Sequence, residues 1–348
     1  MTKFYSLKVA KIKEETKNSV SITFDVPSDL KENYSFQSGQ YVTLKAKIKG
    51  NLVLRSYSIC SSPNSGFLQI GVKAISNGVF SNYVNNALRE GDMLEVSKPE
   101  GRFVVETPDI KNNFIGIAAG SGITPIISIL KNVLISNEES KFILLFGNKS
   151  IKETMFYREI ENLKDLFGGR FFCYNIYSME NNPNSEFGRI DASFITFCLK
   201  KHDNIKFDKT FICGPEKLIQ NCSSELIKLG YNEKNILFEL FYSSTENQKP
   251  NQIESEETKA SITCDYEDFE ISIPKNMTIL DAALNQNIDV PYSCQGGVCS
   301  SCIGKVTNGS AKMIENNILT DQEIKDGLVL ACQAIPLSNS ISIDFDDV

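Results

Sequence analysis

The chain has 348 residues, of which 41% are hydrophobic and 23% charged, and its formal net charge is −7. This composition is normal for globular proteins and excludes wholesale disorder, and the length predicts two or three domains. The acidic balance argues against nucleic acid as a partner, and no apolar run reaches the roughly 20 residues of a membrane helix. The start, MTKFYSLKVAKIKEE, lacks a signal-peptide core, so we expect a cytoplasmic protein without membrane insertion.

Residues 1–107 alternate polar and apolar positions in short runs separated by turn signals, which predicts a small antiparallel β-barrel. A helical stretch, NYVNNALREG, is expected to cover the barrel, with Ser81 as its N-cap. Residues 108–242 then alternate strand and helix patterns. This alternation predicts a parallel sheet with helices on both faces, with ligands at the carboxyl ends of its strands.

Residues 243–260 are almost free of large aliphatic side chains and predict a flexible linker. Residues 261–348 are expected to begin with a β-hairpin, continue through a short helix and a cysteine-rich loop, and close with a strand. They contain thirteen Asp and Glu against four Lys, a net charge of −9. We interpret this segment as a separate module with its own partner surface.

The ten cysteines, in a chain without an export signal, indicate metal or redox chemistry rather than disulfides. Cys294, Cys299 and Cys302, with the distant Cys332, have the C-x4-C-x2-C…C spacing of plant-type [2Fe–2S] sites. Structural zinc is the alternative, but it favours two paired C-x2-C knuckles. The other six cysteines are expected to be core or pocket thiols. The single histidine, His202, excludes a Rieske centre within the chain and is expected at the surface.

Three further motifs lie at the end of a predicted strand or the start of a predicted helix, although each is weak alone. Gly78-Val79-Phe80-Ser81 opens a helix, where backbone N–H groups can hold phosphate. Ala119-Gly120-Ser121-Gly122-Ile123-Thr124-Pro125 follows a predicted strand and also opens a helix, with proline in place of the third glycine of the dinucleotide fingerprint. Cys213-Gly214-Pro215 ends a later strand.

With Arg55-Ser56-Tyr57-Ser58 at the end of a barrel strand, these motifs resemble the ferredoxin–NADP reductase superfamily. With the C-terminal cysteines, the chain resembles the reductase components of bacterial oxygenases and hydroxylases, including the phenylacetyl-CoA epoxidase type. The resemblance implies a multidomain protein. Its parts are an antiparallel β-barrel for flavin, an α/β parallel sheet for the pyridine nucleotide, and an α+β β-grasp ferredoxin domain.

The resemblance also implies the roles of individual residues. Arg55 would contact the flavin pyrophosphate, Tyr57 would pack on the flavin ring, and Ser58 would lie near flavin N5. Cys213 would lie on the nicotinamide side, and Glu239 over the flavin. The implied catalytic set is therefore Ser58, Cys213 and Glu239. The implied cofactor-binding set is Arg55, Ser56, Tyr57, Ser58, Gly78, Val79, Phe80, Ser81, Gly120, Ser121, Gly122, Thr124, Pro125, Asn148, Lys149, Ser150, Cys213, Gly214 and Pro215.

The activity implied is electron transfer from NADPH through FAD and a [2Fe–2S] cluster to an oxygenase or hydroxylase, diiron or Rieske. The loop Phe146–Ser150 offers Lys149 with Asn148 and Ser150, and has no acidic residue before Glu153, which favours NADPH over NADH. Two alternatives stay open. One is an NADH-dependent reductase of another monooxygenase or of a desaturase, and the other is a non-catalytic electron carrier or redox sensor.

Overall fold

The computed structural model describes residues 3–108, 110–241, 257–264, 266–286, 288, 290–292, 295–297, 299–316 and 318–348. The predicted ligand Cys294 and residues 243–256 of the predicted linker lie outside the described residues. The chain divides into two compact units, and the boundary between them follows Phe241. Each helix of the described part is too short or too polar to cross a membrane.

The first part of unit Phe4–Phe241 is an antiparallel sheet in the order β4-β3-β6-β1-β2-β5. A bridge between Ile59 and Ile70 joins its two edges, so the sheet closes into the predicted barrel. Alternate residues such as Leu7, Val9 and Ile22 face the barrel core. The elements are β1 (Phe4–Thr16), β2 (Ser19–Asp25), β3 (Tyr41–Ile48), β4 (Asn51–Ser58), β5 (Leu68–Lys73), α1 (Val79–Asn86) and β6 (Met93–Ser97).

The predicted N-cap of α1 is wrong. The helix begins at Val79 with Gly78 as N-cap, and no side chain caps its first turn. Ser81 lies inside that turn, and its hydroxyl accepts a hydrogen bond from the Ile75 amide at 3.3 Å. Ser81 therefore stabilises the preceding loop, and the backbone amides of the first helical turn have no side-chain cap.

The second part of this unit is a parallel sheet in the order β10-β9-β8-β7-β11-β12. Strands and helices alternate along this part of the chain, as predicted. The elements are β7 (Phe114–Ala119), α2 (Ile123–Ser136), β8 (Phe142–Asn148), α3 (Tyr157–Leu166), β9 (Phe171–Tyr177), β10 (Glu186–Phe187), α4 (Ala192–Lys200), β11 (Lys209–Gly214), α5 (Glu216–Lys228) and β12 (Ile236–Leu240).

Helix α2 joins the parallel sheet to the barrel through buried polar contacts. Ser128 donates to the carbonyl oxygen of Ser61 at 2.6 Å, and the Asn132 amide donates to the Ser38 hydroxyl at 3.0 Å. A Cβ on Gly71 of β5 would stand 2.6 Å from the Thr124 methyl, so only glycine allows this approach. The start of α2 is thereby held against strand β5 of the barrel.

His202 is not the surface residue that the sequence predicted. Its side chain is 8% exposed, and its ring lies 4.2 Å from the Phe172 ring, centroid to centroid. Its Nε2 is 2.8 Å from the Tyr174 hydroxyl. Burial lowers its pKa, and the nearby Lys141 and Lys201 add to the effect. The polar neighbours in sequence concealed this site, because Phe172 and Tyr174 come from the distant strand β9.

The unit after Phe241 is built on a mixed sheet in the order β14-β13-β19-β15-β17. Helix α6 packs its Ile279 and Leu280 into the core of this sheet, as the predicted β-grasp requires. Strand β13 begins at Glu257, so residues 257–260 belong to this sheet and not to the predicted linker. The elements are β13 (Glu257–Cys264), β14 (Glu267–Pro274), α6 (Ile279–Asn285), β15 (Ile303–Asn308), β16 (Ala311–Met313), α7 (Asp321–Lys325), β17 (Leu328–Leu330), β18 (Ala334–Pro336) and β19 (Ser340–Asp344).

Candidate functional site

The order of the parallel sheet reverses at β7, because the chain runs from β7 to β8 on one side and later returns to β11 on the other. In such sheets the crevice at the carboxyl ends of the two strands is the binding site. The Gly120–Gly122 turn follows β7, and Gly214 ends β11. A Cβ on Gly122 would overlap the Cys213 carbonyl, so these two predicted motifs meet at the reversal point.

Ser58, Cys213 and Glu239 come together at this crevice. In the sheet, Cys213 of β11 lies between Ala118 of β7 and Glu239 of β12. The Ser58 hydroxyl, at the end of barrel strand β4, donates to Glu239 Oε2 at 3.1 Å. The barrel and the parallel sheet thus meet at a contact between residues 181 positions apart.

Burial has the largest effect on the pKa values of Glu239 and Cys213. It raises the pKa of Glu239 from 4.5 to about 7, and the hydrogen bond from Ser58 partly opposes the rise. Burial also raises the pKa of Cys213 well above its usual range, with the Glu239 carboxylate adding to the effect. Cys213 is therefore a neutral thiol near pH 7, whereas Glu239 exists in both protonation states and can hold or release a proton.

The two barrel motifs lie side by side. The rings of Tyr57 and Phe80 are 5.9 Å apart, centroid to centroid, which places the R-x-Y-S strand beside the start of α1. The Arg55 side chain is exposed and donates to the carbonyl oxygen of Leu54 at 2.6 Å, while the Ser56 hydroxyl contacts that of Thr43 at 3.0 Å. A guanidinium, a tyrosine ring and an uncapped helix start fit a flavin nucleotide with its pyrophosphate.

The predicted nucleotide loop after β8 contains a buried polar group. Both polar atoms of the Asn148 amide are buried without a hydrogen-bond partner among the described residues. Lys149 is 63% exposed and lies 3.8 Å from the Glu153 carboxylate, and Ser150 accepts a hydrogen bond from Thr154 at its carbonyl oxygen. Because unpaired buried amides are rare, Asn148 fits a place that a ligand or water completes.

No sequence motif singled out Lys73. Its Nζ lies 3.8 Å from the point where a Cβ on Gly120 would stand, so the ammonium adjoins the Gly120–Gly122 turn. Burial lowers its pKa, the Glu153 carboxylate opposes this, and Lys149 adds to it. The glycine motif belongs to the parallel-sheet part of the chain, whereas Lys73 lies on barrel strand β5. The alternation of β5 indicated only a barrel strand.

Two cysteines of the predicted cluster, Cys302 and Cys332, lie in the same core of the C-terminal unit. Cys299, Cys302 and Cys332 are at most 6% exposed, and the Ala331 amide donates to the Cys302 carbonyl oxygen at 2.9 Å. Gly297, at φ +68°, lies where a Cβ would be 2.9 Å from Gln333. The described residues alone hold no group of three metal ligands in place. The donor set, three buried thiols, suits an iron–sulfur cluster.

The remaining six cysteines lie mostly in the core, as predicted. Five of them are buried and Cys173 is partly exposed. Burial raises the pKa of Cys60, Cys173, Cys198 and Cys222 to about 12. These four therefore carry no thiolate near pH 7 and have a packing role.

Three sequence families match successive parts of the chain. They are the oxidoreductase FAD-binding domain at residues 6–105, the oxidoreductase NAD-binding domain at 117–224, and the 2Fe–2S iron–sulfur cluster binding domain at 262–337. FAD, a nicotinamide nucleotide and a [2Fe–2S] cluster are accordingly the cofactors of this chain. The matched order is the one that the motifs predicted.

Full-length relatives have the same organisation. The chain is 39% identical to a subunit of the 1,2-phenylacetyl-CoA epoxidase from Escherichia coli K12, over 99% of both chains. It is 30% identical to the ferredoxin reductase component of 3-ketosteroid-9-alpha-monooxygenase from Rhodococcus rhodochrous, over 97% of this chain and 96% of that one. Phthalate dioxygenase reductase shares the fold, with a TM-score of 0.64, 23% identity and 98% coverage of both chains. The chain therefore belongs to the family of flavin- and [2Fe–2S]-containing reductases that pass electrons to the oxygenase partners of multicomponent oxygenases.

Proposed function

We propose that this reductase takes electrons from NADPH and delivers them to a diiron oxygenase of the phenylacetyl-CoA epoxidase type. The 39% identity to one component of that epoxidase over 99% of both chains supports the partner. The contact between Ser58 and Glu239 beside Cys213 carries the catalytic part of the proposal. A cytoplasmic location belongs to the proposal, because its cluster thiols need a reducing compartment.

The proposed catalytic residues are Ser58, Cys213 and Glu239. When bound, FAD accepts two electrons from the nicotinamide and releases them singly, which the cluster requires. Glu239, with its pKa near 7, can hold or release a proton when the flavin is reduced or oxidised. Ser58 orients the Glu239 carboxyl by donating to Oε2. Cys213, a neutral thiol, lies beside Glu239 in the sheet without supplying charge.

The proposed FAD site joins Arg55, Ser56, Tyr57 and Ser58 to the turn Gly78–Ser81. The ring contact between Tyr57 and Phe80 supports this pairing of motifs. The exposed Arg55 guanidinium and the uncapped first turn of α1 offer charge and N–H donors to a pyrophosphate. The proposed domain boundaries are 1–107 for this part and 108–242 for the nucleotide part, and the ferredoxin part begins at Glu257, the first residue of β13.

The proposed nicotinamide nucleotide site comprises Gly120, Ser121, Gly122, Thr124 and Pro125, followed by the segment Cys213–Pro215. The approach of Gly122 to the Cys213 carbonyl supports it. Thr124 donates to the Ser121 carbonyl oxygen at 3.0 Å and so fixes the turn. The turn thereby presents its backbone to the crevice beside the Lys73 ammonium.

The proposed preference for NADPH depends on Asn148, Lys149 and Ser150. Lys149 pairs with Glu153 only at 3.8 Å, and both side chains are largely exposed. Because such an ion pair contributes less than about 1 kcal/mol, a dianionic phosphate can replace the carboxylate. The unpaired amide of Asn148 offers a further donor.

The four cysteines Cys294, Cys299, Cys302 and Cys332 are the proposed cluster ligands. The burial of the three described thiols supports this assignment. The alternative of a non-catalytic carrier or sensor is disfavoured, because the chain combines a nucleotide crevice with the Ser58–Glu239 contact. A carrier needs neither. The NADH-dependent alternative is decided by the nucleotide experiment.

The partner proposal is tested by reconstitution. We expect the chain to replace its 39% identical relative in the Escherichia coli epoxidase and to sustain NADPH-dependent epoxidation of phenylacetyl-CoA. The nucleotide proposal is tested by Lys149→Ala, which should raise KM for NADPH severalfold and leave that for NADH unchanged. Lys152→Ala, an exposed lysine three residues away, is the matched control. A wild type faster with NADH, or equal losses for both nucleotides, would contradict the preference.

A further inference from the structure

We propose that the outward face of a β-ribbon in the C-terminal unit is the surface on which the electron-accepting oxygenase component docks. The ribbon consists of β16 and β18, paired antiparallel with Lys312 opposite Ile335 and Met313 opposite Ala334. This inference rests on the proposed function, because electron transfer between proteins needs a docking surface close to the cluster.

The ribbon has two chemically distinct faces. Ala311, Met313 and Ala334 face inward and belong to the core of the unit. Because side chains alternate along a strand, Ile314 and Leu337 lie on the other face with Ile335. Ile314 is 56% exposed and Leu337 is 66% exposed. A strand that faces only water normally carries polar residues there, so three aliphatic side chains on one face indicate a contact surface.

The outward face runs directly into the predicted cluster loop. The Ile314 amide donates to the Gln333 carbonyl oxygen at 2.8 Å, which extends the pairing of the ribbon by one residue. Gln333 follows the proposed ligand Cys332, and its side chain donates to the Gln295 carbonyl oxygen at 3.1 Å. At about 3.3 Å per residue, Leu337 lies roughly 13 Å along the strand from Gln333. The exposed face therefore begins where the cluster loop covers Gln333.

The charges of the module favour a particular partner. Residues 261–348 have a net charge of −9, yet the outward face of the described ribbon carries Lys312 as its charged side chain and no carboxylate. A negative module around an apolar centre is the usual anatomy of a steered interface. The docking partner that fits this face is thus an oxygenase component whose surface has an apolar centre and a basic rim.

The test compares protein and small-molecule acceptors in the full-length protein loaded with FAD and cluster. The probe is cytochrome c, a basic protein with an apolar haem edge, and ferricyanide serves as the small acceptor. In the double variant Ile314→Ser/Leu337→Ser, KM for cytochrome c should rise about tenfold, because two exposed aliphatic side chains are lost from the contact. Ferricyanide reduction should be unchanged. Tyr266→Ser, at a 94% exposed residue outside the ribbon, is the matched control and should behave as the wild type.

Cluster absorbance per flavin verifies that the variants are intact, and Leu337→Ser alone provides a milder variant. An unchanged KM for cytochrome c, or an equal rise in Tyr266→Ser, would overturn the proposal. Slower reduction of the cluster by NADPH, with the cytochrome c KM unchanged, would also overturn it, since the ribbon would then serve the chain's own flavin. A wild type that fails with the epoxidase would refute the proposed partner, whereas the cytochrome c result would still decide the role of the ribbon.

Discussion

Glu239→Gln should abolish one specific pH dependence of stability. The folded protein holds the proton of Glu239 up to about pH 7, whereas a carboxyl with the ordinary pKa of 4.5 loses it earlier. Between these values the folded state binds more protons than the unfolded chain, so stability falls as pH rises. Glutamine keeps the oxygen that accepts the hydrogen bond from Ser58 and removes the titration.

The magnitude follows from the two pKa values. Integrated between pH 5 and pH 8, the wild type should lose about 2.5 kcal/mol of stability through this carboxyl alone. For a unit of this size that loss lowers Tm by roughly 5–10 °C relative to the variant. The variant should therefore be the more stable protein at pH 8, with a much smaller difference at pH 5.

The measurement is thermal unfolding of the FAD-loaded protein, followed by flavin fluorescence, at pH 5 to 8. Subtracting the Tm of Glu239→Gln from that of the wild type at each pH removes the pH effects that are common to both proteins. Glu138→Gln, at an exposed glutamate, is the control and should follow the wild type. A difference in Tm that does not change with pH would refute the assignment of a raised pKa to Glu239.

Three further outcomes are expected. Cys332→Ser should lose iron, sulfide and the cluster absorbance while keeping FAD, and retention of two irons and two sulfides would contradict the ligand assignment. Truncation after Phe241 should leave a flavoprotein that reduces ferricyanide with NADPH but not cytochrome c, and failure to retain FAD would show that the C-terminal unit is structurally required. Association with the oxygenase should slow as salt rises, because the −9 charge of residues 261–348 is screened, and a rate independent of ionic strength would leave that charge without a steering role.

Local pattern determined the secondary-structure elements and the cluster motif of this protein, whereas the flavin was implied by the family resemblance. Alternation with period two identified the barrel strands, and buried runs separated by helices identified the parallel sheet, because both signals are written in neighbouring residues. The cysteine spacing and the glycine turns were equally local, since a cluster or a phosphate must be wrapped by one short segment. Even the meeting of Gly122 with Cys213 was predictable, because parallel strands bring their carboxyl ends to one edge.

Only the tertiary structure decided the contacts between segments with no shared pattern. Ser58 meets Glu239 across 181 residues, and the resulting burial, which sets the Glu239 pKa, cannot be read from either segment. Lys73 reaches the glycine turn because the barrel packs on α2, and His202 is buried because a distant strand supplies its aromatic partners. Sequence periodicity reports which face of an element is buried. The identity of what covers that face depends on how the elements pack, and packing sets the electrostatics of the site.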